Sequence, residues 1–93
     1  MAAKSGQKTV AAAGTAEALG SQVINGPIMV KALLANSNNV YVGNDGAGDV
    51  NSANGLELDA GDSVVFEFVG DLSEIIIDAD TNGEGVSWLA LTL

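Results

Sequence analysis

The sequence predicts an all-β fold: a single-domain antiparallel β-sandwich, jelly-roll-like, with about eight short strands. Apolar residues recur at every second position in short runs, and clusters of Gly, Asn, Asp and Ser part those runs at intervals of roughly 8 to 12 residues, as in sandwiches and barrels. No window places apolar residues at i, i+3, i+4 and i+7 between caps. Ala11 to Leu19 is the nearest rival, and Gly14 sits in its middle.

Met1 to Gln7 reads as a flexible N-terminal arm, dispensable for folding, ahead of a sandwich domain spanning residues 8–93. Lys8 to Ala13 is a soft first strand that Gly14 ends, and Thr15 to Leu19 is a short second one. Gly20 to Gly26 with Pro27 reads as a loop, because a proline cannot donate to a central ladder. Ile28 to Ala35 then alternates, with Ile28, Val30, Ala32 and Leu34 on one face and Met29, Lys31, Leu33 and Ala35 on the other, which suits a central strand.

Asn36 to Asn39 is a turn, Val40 to Gly43 a short strand, and Asn44 to Gly55 the longest loop, too rich in Gly, Asn and Asp for regular structure. Leu56 to Leu58 and Ser63 to Val69 read as a hairpin turning at Asp59 to Asp62. Glu74 to Ala79 sends Ile75, Ile77 and Ala79 to the core and Glu74, Ile76 and Asp78 outward. After a turn at Thr81 to Gly85, Val86 to Leu93 closes the chain, with Val86, Trp88 and Ala90 on one face and Ser87, Leu89, Leu91 and Leu93 on the other. A strand apolar on both sides is either central in its sheet or in contact with a neighbouring subunit. Leu89, Leu91 and Leu93 are therefore the candidate oligomer interface.

The 93 residues allow one core, and the absence of cysteine removes any disulfide. A domain of this size buries only about two-thirds of its unfolded surface, so association with further copies is the expected source of added stability. The net charge of −9 repels nucleic acid. It is unevenly spread. Residues 1–44 hold all three lysines, Lys4, Lys8 and Lys31, against Glu17, and the remaining eleven acids follow with no base among them. A mildly basic N-terminal segment on an acidic body suits docking on an acidic partner, with Lys4 and Lys8 as the docking residues; the same charge also simply keeps a protein in solution. No run approaches the roughly 20 apolar residues of a membrane span, and no leucine-rich segment follows the first lysines, so neither membrane insertion nor a signal peptide is expected.

Histidine, cysteine and arginine are absent, which excludes nucleophilic triads, imidazole catalysis and an arginine anion clamp. Glu57, Glu67, Glu74 and Glu84 are carboxylates without the deep apolar cleft that acid-base chemistry needs, so no enzyme and no cofactor are expected. Asp78, Asp80 and Asn82, followed by Gly83, match the first half of a calcium loop, and the long loop with Asp45 and Asp49 is a weaker metal-site candidate. The second half fails: the twelfth position falls on Leu89, and the flanks read as strands. Such residues are also common at plain turns.

Lys8 to Val10, Ala13 to Ala16, Tyr41 to Gly43, Leu58 to Ser63, Asp78 to Asp80 and Gly83 to Val86 stand in an order and spacing that resembles a group of small bacteriophage virion proteins. The resemblance spans residues 8–93 and consists mostly of turn motifs. It implies a non-catalytic structural protein on the virion, a capsid decoration or cement protein that stabilises the head by binding between capsomers. It also implies a homotrimer on the capsid surface, with the major capsid protein or another virion lattice protein as partner. A tail, neck or fibre subunit and a host carbohydrate-binding module are the alternatives. An exposed aromatic beside the long loop would favour the last.

Overall fold

The computed structural model describes residues 2–92 and has two antiparallel sheets of four strands each. In chain order the strands are β1 (Ala2–Thr9), β2 (Glu17–Ala18), β3 (Val23–Ala32), β4 (Val40–Gly43), β5 (Leu56–Leu58), β6 (Ser63–Asp71), β7 (Ile76–Ala79) and β8 (Gly85–Thr92). A single 3-10 turn, Leu72–Glu74, joins β6 to β7, with the Asp71 carboxylate accepting from the Ser73 N–H at its start. One sheet runs β1-β8-β3-β6 and the other β2-β7-β4-β5. First pairs with last, second with seventh, third with sixth and fourth with fifth, so the chain is one long folded-back ribbon rolled into two layers. That is a jelly roll, within the expected class.

The core lies between the layers. Ile28, Val30, Ala32, Val86 and Ala90 from the first sheet meet Val40, Val42, Leu58, Ile77 and Ala79 from the second, each nearly or fully removed from water. Alternation delivers them, since every second side chain of a strand points inward. Val64, Phe66 and Trp88 pack against this cluster while partly exposed. The molecule measures 35 × 28 × 19 Å.

Five expectations are corrected. The segment expected as a flexible arm is most of β1, which pairs with β8 without interruption from Ala2↔Thr92 to Thr9↔Gly85; Met1 lies outside the described residues. Ala2 to Gln7 has weak strand propensity of its own, but the free edge of an apolar central strand supplies backbone partners that override it.

The expected loop around Pro27 is the first half of β3, a central strand. Pro27 is accommodated by a bulge: Ile28 pairs with Phe66 and Gly26 with Val69, so Glu67 and Phe68 together oppose the proline and no ladder bond requires its missing N–H. A second irregularity follows between Val23↔Asp71 and Gly26↔Val69, with Asn25 at φ 49°, a region asparagine tolerates. At its other end β3 stops at Ala32, three residues before the expected Ala35, as Leu33 N donates to Gly85 O at 3.1 Å.

β5 and β6 form no hairpin. β5 pairs with β4 in one sheet and β6 with β3 in the other. The turn at Asp59–Asp62 carries the chain between layers, closed by Asp62 N donating to Asp59 O at 2.9 Å and Asp59 N to Asp62 Oδ2 at 3.1 Å. The local hairpin is instead β4–β5. Finally, Ile76 and Asp78, expected outward on β7, do point away from the core cluster but are buried.

Candidate interaction surface

The two outer faces differ. Over the β2-β7-β4-β5 sheet the chain covers itself: Val50, at the end of the long loop's bend, is 2% exposed and sits against Gly43 and Gly55. The turn after β1 covers the opposite part, where Gly14 N and Ala79 N both donate to Asp78 Oδ1, at 3.0 and 2.8 Å. That face is closed by its own loops.

The outer face of the β1-β8-β3-β6 sheet has no such cover. Its register places Ser5, Leu89, Met29 and Val65 in one row across all four strands. Three of the four are large, apolar and exposed, at 53% for Leu89, 43% for Met29 and 59% for Val65. Leu91 at 39% and Phe68 at 64% extend the patch along the strands. The neighbouring row, Gln7, Ser87, Lys31 and Ser63, is polar and carries a cation. Scattered exposed apolar residues are ordinary, whereas a contiguous row with a polar border marks a contact surface.

Two of the three candidate interface leucines, Leu89 and Leu91, are on this patch, and Leu93 lies outside the described residues. β8 is central in its sheet, one of the two readings of its sequence, and it also presents an uncovered apolar face. Met29, Val65 and Phe68 belong to the same surface and were missed. Register, which joins residues far apart in sequence, was the lacking information.

Of the docking candidates, Lys4 is exposed on β1, and Lys8 is committed to an ion pair with Glu17, Nζ to Oε1 at 3.0 Å. The pair ties β1 to β2, the adjacent edges of the two layers. The Ala11 N–H donates to Glu17 Oε2 at 2.9 Å, and this bond, followed by Lys8, holds the Glu17 carboxyl below the ordinary carboxylate range.

Asp78, Asp80 and Asn82 do not converge. Asp78 Oδ1 is taken by the two backbone N–H groups, Asp80 Oδ2 accepts from the Tyr41 hydroxyl at 2.9 Å, and Asn82 Oδ1 accepts from Ala13 N at 2.7 Å. The hydrogen bond to Asp80 pushes the Tyr41 pKa up. Among the described residues no group of three His, Cys, Asp or Glu is placed to hold a metal ion. Asp78, Asp80 and Tyr41 line a shallow polar hollow of about 300 Å³ with Asn51 and Ser52. Tyr41 is 6% exposed, so its ring offers no platform to a sugar. A second, apolar hollow of about 230 Å³ opens beside Phe66, Val69 and Ile75. Neither exceeds the roughly 300 Å³ at which ligand pockets begin.

Among the described residues no helix is long and apolar enough to cross a membrane. Compared with protein-family models, with curated proteins and with solved structures, the chain finds no match.

Proposed function

We propose that this chain is a non-catalytic structural protein that acts by surface contact, binding further copies of itself and a protein lattice, as a capsid decoration or cement protein of a bacteriophage does. The observation that carries the reading is the uncovered apolar row of Leu89, Met29 and Val65 with Leu91 and Phe68 beside it. A flat patch of this kind suits a broad protein partner better than a small molecule. The chemistry of the side chains points the same way, since the chain has no histidine, cysteine or arginine and the two hollows are small. Jelly rolls serve in viral capsids and also in lectins, so the fold is compatible with the reading and does not by itself select it. The resemblance of the turn motifs is what directs it to a virion.

Two measurements test it. Sedimentation of the purified chain is expected to give an oligomer, and a wild-type monomer at high micromolar concentration overturns self-association. Quantitative mass spectrometry of purified phage particles encoding the chain is expected to find a copy number on the scale of the major capsid subunit. A number on the scale of the tail or portal transfers the role to those structures, and absence from the particle overturns the virion reading.

A further inference from the structure

The uncovered sheet ends in two free edges of similar length, the eight residues of β1 and the nine of β6. Each leaves a row of backbone N–H and C=O groups pointing sideways, and such a row accepts another strand. The two edges are chemically unlike. β1 carries Lys4 and Lys8 and no acid, and β6 carries Glu67 and Asp71 and no base. Among the described residues the one ion pair is Lys8 with Glu17, which leaves Lys4 exposed without a carboxylate partner. β6 has no lysine or proline to discourage pairing, and Val65 and Phe68 are exposed along it.

We propose that β6 of one copy receives β1 of a second copy as an added antiparallel strand, the basic edge set against the acidic one, so that the apolar sheets of successive copies run on as one. The inference rests on the self-association reading and gives it a geometry. Direction agrees: β1, β8, β3 and β6 alternate, so β1 and β6 already run antiparallel within one copy. A second copy set alongside in the same orientation therefore presents its β1 antiparallel to β6, with its apolar row on the same side. Pairing of like edges sets lysine against lysine or glutamate against glutamate, which opposes it.

Size favours the edges as well. Four strands about 4.8 Å apart and some eight residues long make a face roughly 19 Å by 26 Å, about 500 Å² in projection, against the ~800 Å² per partner of a standard interface. Contact through the face alone is small, whereas edge pairing joins copies by backbone hydrogen bonds and lays their apolar rows side by side. Because β1 and β6 are different patches, the contact is head-to-tail and generates a closed ring or an open chain of copies.

The chain has no native cysteine, so single-cysteine variants report the contact cleanly. Ser5→Cys and Val65→Cys, both at exposed positions, are treated with a short bis-maleimide, and light scattering follows assembly. Mixed together, the two variants are expected to give a cross-linked heterodimer, and each alone little or none. Lys4→Glu, which removes the positive charge of the β1 edge, and Glu67→Lys, which removes the negative charge of the β6 edge, are each expected to weaken association by roughly threefold. Efficient cross-linking of either variant with itself, in a protein that still associates, overturns head-to-tail pairing and leaves self-association standing. A chain that stays monomeric throughout overturns both.

Discussion

Gly6 and Trp88 are register partners across β1 and β8, and the indole occupies the volume that a side chain at position 6 would need: a Cβ there would lie 2.9 Å from Trp88 Cζ2. The missing side chain lets the ring lie flat over the edge strand and close the end of the core. Glycine weakens a strand on its own account, and here it marks a close approach.

Gly6→Val is accordingly expected to displace the indole and destabilise the fold by about 1–3 kcal/mol, the usual cost of overpacking. Trp88 is the only tryptophan, so its emission reports the change directly. Unaltered emission with unaltered stability would mean that the ring does not depend on the glycine.

Deleting residues 1–7 removes most of β1, exposes the edge of β8 and takes Trp88's cover with it. The truncated chain is expected to unfold at lower denaturant concentration and to aggregate more readily than the full chain. Equal stability would reinstate the dispensable arm that the sequence suggested.

Asn36 is a buried polar residue whose amide meets one backbone unit from both sides, Nδ2 donating to Gly85 O at 2.8 Å and Oδ1 accepting from Gly85 N at 3.3 Å. It extends the pairing of β8 where β3 has ended. Asn36→Ala removes the acceptor of the Gly85 N–H, whereas Gly85 O keeps its bond from Leu33 N, and a loss of about 1–3 kcal/mol is expected in denaturant titration.

Glu17 and Asp71 both have lowered pKa values, Glu17 through the Ala11 N–H and then Lys8, Asp71 through the backbone and side chain of Ser73 and then Gln22 N. As the pH falls, the unfolded chain takes up protons on these groups before the folded one does. Their stabilisation is therefore whole above their ordinary values of 4.5 and 3.8 and is lost as pH drops through the lower folded values. Glu17→Gln is expected to lower stability at neutral pH and to flatten the decline below pH 4.5. A variant whose stability runs parallel to wild type through that range would refute the assignment.

Calcium is expected to leave the melting temperature where chelator leaves it, because the oxygens of Asp78, Asp80 and Asn82 already serve Gly14, Tyr41 and Ala13. A saturable rise with calcium would restore the site.

The strands that were legible in the sequence are those whose alternation is strong. Val40 to Gly43 stands where it was expected, and Ile28, Val30 and Ala32 face the core as their spacing required. What was illegible depends on partners far along the chain. Residues 2–7 become a strand because β8 needs a neighbour, and Pro27 sits in a central strand because β6 bulges opposite it. The exposed apolar patch was half legible for the same reason. Leu89 and Leu91 share a strand and show themselves, whereas Met29 and Val65 join them only through register.

The rolled-ribbon topology also sets an order of assembly. β4 and β5 close a single loop, and each further pair, β3 with β6, β2 with β7 and β1 with β8, can zip up cheaply only after the pair inside it has formed, since loop closure is then already paid. The segment from Asn44 to Gly55 is thus the turn around which the pairs nest, and β1 with β8 is the pair whose closure spans the most chain. Where β1 is not in place β8 has an open flank, and that flank is the edge at which one molecule can most readily lend its strand to another.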